Sequence, residues 1–203
     1  MTTIQESEWS APQSARTAFD EAAAYAPDPA RRALCALPDR LKAEAQEIRL
    51  RAGAPLMLST PTGEWMVTAE GDATQAAAKG LVCAPALLEE CFLALCEYSV
   101  HTHQSEVSAG FITTRGGCRA GIAGTAVLDG GRVVSVRGIT SICLRIARRH
   151  DGCASALAVR LTEGGRLRSA LICGEPSSGK SSLLRDLARQ LSGGSRGRRY
   201  RTA

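Results

Sequence analysis

Aromatic residues are scarce: three Phe, two Trp and three Tyr make up 4% of the 203 residues. They are not interleaved with Lys or Arg, so the stacking platform of a single-strand nucleic-acid binder is not expected. Long hydrophobic runs are also missing. No apolar stretch approaches the roughly 18 residues that suggest a membrane span. Met1–Ser10 has neither the basic start nor the apolar centre of a secretory signal. A cytoplasmic chain is therefore expected. Paired cysteines are absent too. Eight stand singly, at 35, 83, 91, 96, 118, 143, 153 and 173, with no Cys-x-x-Cys among them. With no export signal, a disulfide scaffold is not expected; free and mostly buried thiols are. Finally, the last eight residues hold Arg196, Arg198, Arg199 and Arg201 but no acid. Setting those four aside lowers the formal charge from +5 to +1. The basicity belongs to a tail rather than to a binding face, and nucleic acid is not an expected partner.

What is present is the composition of a folded chain: 44% hydrophobic and 22% charged, with a mean hydropathy of −0.07. The length suits one ordinary domain or two small ones. Residues 1–14 are polar and unpatterned and are expected to be loose. Thr17 to Gln46 reads as two short helices broken at Pro27-Asp28-Pro29, because proline ends a helix and disfavours helix in the residue before it. Glu47 to Arg51 alternates polar and apolar, the period of a half-buried strand. A second strand is expected over Leu56 to Ser59, and Pro61-Thr62-Gly63-Glu64 should turn the chain into Trp65-Met66-Val67. From Pro85 to Ser99 the period becomes helical, with Leu87, Leu88, Cys91, Phe92 and Leu95 on one face. Gly110 to Val136 is glycine-dense and β-branched. Asp129-Gly130-Gly131 separates two short strands there, 125–128 and 132–136, as a hairpin would. Ile139 to Arg149 reads as a further strand running into a helix.

One motif carries chemistry. Gly174-Glu175-Pro176-Ser177-Ser178-Gly179-Lys180-Ser181 fits G-x-x-x-x-G-K-[ST], the phosphate-binding P-loop, and Ser182 follows it. Ala170 to Cys173 is an apolar run of a length that suits a buried parallel strand. Leu183, Leu184, Leu187, Ala188 and Leu191 give the following helix an apolar face. Glycine at 174 and 179 lets the backbone wrap and approach phosphates. Backbone N–H groups at the helix start present partial positive charge to an anion. Lys180 is expected to reach the β- and γ-phosphates of ATP, and the Ser181 hydroxyl to ligate Mg2+.

Competing sites are weaker. Gly193-Gly194-Ser195-Arg196-Gly197 fits a nucleophile-elbow pattern, but a helix precedes it where a strand is required. His101 and His103 would share a face in an extended segment, yet no ligand set at a recognisable spacing accompanies them. They are expected to be polar surface residues.

Several stretches occur together with the P-loop in a specific order: Glu47–Gly53, Cys96-Glu97-Tyr98-Ser99, Gly116–Gly124, Arg137–Ile142, Leu144–Ala147 and Leu183–Arg189. Over roughly residues 30 to 192 the chain resembles the stage III sporulation protein AA family of endospore-forming bacteria. That resemblance implies an ATP- and Mg2+-dependent ATPase related to secretion ATPases of type II and type IV pilus systems. It implies ring-shaped homo-oligomers, hexamers by that relationship. It also implies a cytoplasmic place at the inner face of a membrane channel complex joining mother cell and forespore, with stage III sporulation protein AB as the membrane partner. Arg119, Arg137 and Arg145 lie in the matching stretches. They either approach nucleotide phosphates, as N-terminal-domain arginines of such ATPases can, or form ordinary surface pairs.

The fold class expected is α/β: an α+β accessory domain over 15–155, then the start of a RecA/AAA-like P-loop NTPase domain over 156–192, incomplete, and a basic tail over 193–203. Only 23 residues follow Lys180, and no strand carrying a Walker B acid is seen among them. The chain is therefore expected to be truncated after Walker A, its catalytic residues unknown, and poorly stabilised from about residue 165. Two alternatives stay open: another P-loop ATPase of the pilus, secretion or nucleic-acid-linked type, or a non-catalytic partner-docking module.

Overall fold

The computed structural model describes residues 13–147, 151–176 and 178–193. The chain divides into two compact units, Met1–Arg148 and Arg149–Ala203. The mixed α/β class expected from the sequence is the one observed. The division falls a few residues before the 155/156 boundary drawn from the sequence.

The first unit is built on one antiparallel sheet of seven strands: β1 (Glu47–Arg51), β2 (Met57–Thr60), β3 (Gly63–Val67), β4 (Ala73–Thr74), β5 (Phe111–Thr113), β6 (Arg119–Asp129) and β7 (Arg132–Arg145), in the order β4-β3-β2-β1-β7-β6-β5. The alternation in β1 is that expected, with Ile48 and Leu50 buried. Ile48 stands opposite Leu144 and Leu50 opposite Ile142 on β7. Leu144 and Ile142 in turn face Ala120 and Ile122 on β6. Each large side chain removed from water in this way stabilises the unit by about 1.5–3 kcal/mol.

Helices close the apolar side: α1 (Gln13–Ala23), α2 (Ala30–Ala36), α3 (Asp39–Glu44), α4 (Pro85–Leu95) and α5 (Gln104–Ser108). Phe19, Leu34, Leu88, Cys91 and Leu95 join the strand residues in one core. In α4, proline occupies the first turn and the five apolar residues named from the sequence are its buried set. The helix stops at Leu95 rather than Ser99. There the Tyr98 N–H donates to the Leu93 carbonyl at 2.8 Å and the Glu97 N–H to the Ala94 carbonyl at 3.1 Å. This is a Schellman closure built without glycine, with Glu97 and Tyr98 at φ of +50° and +60°.

Several expectations change. The 17–46 segment forms three helices, because Leu37-Pro38 adds a second break between α2 and α3. The strand expected at 56–59 is β2, shifted one residue onward. The two short hairpin strands are the distal ends of β6 and β7, which are 11 and 14 residues long. The glycines hid that length. A Cβ at Gly124 would lie 2.8 Å from Val136 Cγ1 and 2.9 Å from the Arg137 carbonyl oxygen, so the strands approach there only over glycine. The 139–149 stretch continues β7 up to Arg145 and does not turn into a helix before the described residues break at 147. His101 and His103 sit in a 3-10 turn, Val100–His103, not in an extended segment. His101 is exposed, while His103 Nδ1 lies 2.9 Å from Glu106 Oε2.

The second unit holds α6 (Ser155–Leu161) and α7 (Lys180–Gly193). They meet through Ala154, Ala158, Leu161, Leu187 and Leu191. The apolar run Ala170–Cys173 forms no strand, and Leu171 is 88% exposed. A strand exists only as a member of a ladder, and among the described residues none pairs with this one. Residues 1–12 and the tail from 194, including the Gly194-Ser195-Arg196-Gly197 part of the elbow pattern, lie outside the described residues, as does Ser177. Among the described residues, no helix is long and apolar enough to cross a membrane.

Candidate phosphate-binding loop

The P-loop segment leads directly into α7. Gly179, immediately before Lys180, adopts φ +85°, a conformation that any residue with a Cβ would find strained. The Leu183 N–H donates to the Gly179 carbonyl at 2.9 Å, closing the first helical turn. The N–H groups ahead of it have no partner within the helix and form the positive end of a 14-residue dipole. Upstream, the Ser178 N–H donates to the Glu175 carbonyl at 3.2 Å and folds the loop back. Gly174 is held there by space as well. A Cβ on it would come within 2.7 Å of Ser178 Oγ.

Lys180 closes the loop from inside. Its ammonium donates to the Gly174 carbonyl at 2.8 Å, to the Glu175 carbonyl, and to Ser178 Oγ at 3.3 Å. These neutral acceptors satisfy a cation without neutralising it, so an anion of higher charge at the same place is a stronger partner.

Ser178, Gly179, Lys180 and Ser182 line one cavity of about 460 Å³ together with Ile172, Cys153, Cys173 and Leu183. Gly174, Glu175 and Pro176 are exposed, and so is Ser181 in the first turn of α7. Most of the wall is apolar, which suits a ligand with both an anionic and a planar or aliphatic part. Cys153 was not legible as a lining residue, since it is remote in the chain and belongs to no motif.

What brings Cys153 there is Asp186, a buried carboxylate on α7. Its Oδ2 accepts from the Ala154 N–H at 2.8 Å and from Gln190 Nε2 at 2.8 Å. Its Oδ1 accepts from Arg189 at 2.6 Å, and Arg189 also reaches Asp151 at 3.2 Å. The Ala154 amide above all, with Arg189, the Gly152 amide and Gln190, holds the carboxyl well below the usual range, against the effect of desolvation. Asp186 is the only acidic residue after Lys180 in the sequence. Its two oxygens are engaged in pinning the 151–154 loop to the P-loop helix.

The arginines singled out from the sequence belong to the first unit, Arg119 on β6 and Arg137 and Arg145 on β7. Arg119 stacks 3.7 Å over the Phe111 ring, and Arg145 donates to Glu47 Oε1 at 3.0 Å. Arg49 takes the other Glu47 oxygen at 2.8 Å. Burial pulls the Glu47 carboxyl upward, but the bonds from Arg49 and Cys143 and the charges of Arg49 and Arg145 leave it below its ordinary value. Arg137 is exposed.

Residues 31–200 match the family described as sporulation stage III, protein AA. The chain belongs to that family. It is 34% identical over 176 residues to stage III sporulation protein AA of Bacillus subtilis (strain 168), an overlap covering 87% of this chain and 53% of that protein. The chain thus spans about half the length of the curated relative it matches. Among solved structures it is similar to the Legionella pneumophila ATPase DotB, with a TM-score of 0.43 and 16% identity over 78% of this chain and 40% of the other.

Proposed function

We propose that residues 174–182 bind the phosphates of Mg–ATP, and that the chain is the part of a sporulation-stage ATPase that carries this binding loop. The observation that carries the reading is Lys180. It stands at the head of a helix behind a positive-φ glycine, with its ammonium gathered onto the loop carbonyls in an open cavity. The residues fit such a ligand, since the free N–H groups of the first turn, Lys180 and the tight glycine loop at Gly174 are all complementary to polyphosphate.

On binding, the Lys180 ammonium exchanges neutral carbonyl acceptors for phosphate oxygens, and the Ser181 hydroxyl is the residue to hold Mg2+. The metal supplies charge neutralisation when bound. Asp186 is committed to the 151–154 loop, and this reading assigns it no part in activating water. The same reading makes the chain a cytoplasmic homo-oligomer at the inner face of a membrane complex with stage III sporulation protein AB as its membrane partner, and membership of the family supports that reading.

Thiol protection tests the reading. Cys153 and Cys173 line the cavity and are exposed. Mg–ATP should slow alkylation of both while leaving Cys35 unaffected, and Lys180→Ala should abolish that protection. Equal alkylation with and without nucleotide would contradict the assignment.

A further inference from the structure

The register of the first unit's sheet sorts its charged residues onto one face. Ile48, Leu50, Ala120, Ile142 and Leu144 are buried in the core, so the residues alternating with them point the other way. Across the strands, Glu47 stands opposite Arg145, Arg145 opposite Arg119, and Arg51 opposite Ser141. Toward the other edge, Arg49 stands opposite Met57, and Glu64 opposite Ser59. This face therefore carries four arginines, Arg49, Arg51, Arg119 and Arg145, against two glutamates, Glu47 and Glu64.

Both acids are already engaged. Glu47 takes Arg49 and Arg145, and Glu64 takes Arg49. Arg51 and Arg119 are exposed and have no carboxylate partner among the described residues. Arg119 rests on the Phe111 ring, which leaves its charge intact. Like charges directly opposite each other destabilise a sheet, yet Arg119 and Arg145 are such a pair. The surroundings do not reverse the balance. Arg137 on the hairpin and Glu106 at the β5 edge cancel in count, and Asp129 stands opposite Arg132. Two guanidinium groups thus remain for an outside anion.

Shape adds to charge. Gly121, Ala123, Ser141 and Cys143 put only small side chains between the arginines. Beside them opens a pocket of about 350 Å³ that has Arg51, Ser141, Pro55 and Met57 in its lining. Arg51 and Arg119 lie two strand spacings and four residues apart, so their Cα atoms are separated by roughly 16 Å. A single small anion does not bridge that distance, whereas an extended peptide covers it in about five residues. The two glutamates on the face, and a Phe111 ring already covered by Arg119, disfavour a phosphate chain, which gains from unbroken positive charge and open stacking surfaces.

We infer that this face binds an acidic segment of a partner protein, extended across β1, β7 and β6. One carboxylate sits at Arg51 and Ser141, a second about five residues along at Arg119, and an apolar side chain rests against Met57 and Pro55. The surface belongs to the first unit and does not depend on the loop at 174–182.

Of the three methionines in the chain, Met57 and Met66 are cross-strand neighbours on this face, and Met1 is the third. The full chain labelled with 13C-methyl methionine therefore reports binding locally, with signals assigned by Met57→Leu and Met66→Leu. The probe is acetyl-Leu-Glu-Thr-Ala-Thr-Ala-Glu-amide. Its Gln counterpart removes the charge, and acetyl-Leu-Glu-Glu-Thr-Ala-Thr-Ala-amide keeps the charge but loses the spacing. The probe should shift the Met57 signal saturably and the Gln peptide should not, while the misspaced peptide should bind about five-fold more weakly. Arg51→Gln and Arg119→Gln should each weaken binding about five-fold, and Glu64→Gln, which frees Arg49, should strengthen it about three-fold. Indifference to these three substitutions, equal binding of all three peptides, or no saturation at millimolar peptide would overturn the inference. So would loss of the Met57 shift when Arg196, Arg198, Arg199 and Arg201 are all changed to Gln, since the peptide would then sit on the tail. Displacement of the probe by equimolar inorganic triphosphate at constant ionic strength would make the face a polyphosphate site and overturn the inference as well.

Discussion

The α4 terminus allows a stability prediction in which glycine should outperform alanine. Glu97 is the first residue past the C-cap of a Schellman closure and holds φ +50°. An L-residue in that region costs roughly 1–2 kcal/mol relative to an unstrained conformation. Removing the side chain to glycine relieves this, but the more flexible unfolded chain takes back about 0.4–1 kcal/mol. Glu97→Gly and Glu97→Ala lose the ion pair to Arg115 equally, so the comparison between them isolates the backbone. Glu97→Gly should therefore be more stable than Glu97→Ala by about 0.5–1 kcal/mol, reversing the order found inside helices, where glycine is worse by a similar amount. Urea denaturation followed by far-ultraviolet circular dichroism reads the difference, and thermal midpoints should separate by about 1–4 °C. Equal stability, or a more stable alanine variant, would refute the account of this turn.

Other outcomes follow from the same structure. Leu144 is fully buried between β1 and β6, and Leu144→Ala should cost about 2–5 kcal/mol in the same urea assay. At pH 8 a thiol reagent should label Cys35 and Cys173 in the native protein. Cys91, whose thiol burial pushes up to about 12, should label only on unfolding. Asp186 has a depressed native value, so its contribution to stability is present above the ordinary aspartate value of 3.8 and is lost as the pH falls below it. Asp186→Asn should remove that acid dependence and lower hydrogen-exchange protection at the Ala154 amide.

Local pattern carried much of this molecule. The β1 alternation, the buried face of α4, the Gly130-Gly131 turn and the P-loop all rest on neighbours within a few residues, which a sequence displays. What escaped depends on contacts distant in the chain. The full length of β6 and β7 was hidden by the glycine density of 110–136, whose reason shows only in the close approach at Gly124. Pro38 was overlooked beside the stronger break at Pro27-Asp28-Pro29. Asp186 carried no signal in the sequence, because its partner, the Ala154 amide, lies 32 residues away in the chain. The expected strand at 170–173 had the composition for a sheet, but among the described residues no strand pairs with it.

Mg–ATP titration calorimetry on this chain, beside Lys180→Ala, tests the central claim most directly. The account predicts saturable, Mg2+-dependent binding to the native sequence and its loss in the variant, with both chains giving the same circular dichroism. Binding unchanged by the substitution, or no binding by a natively folded chain, would contradict it.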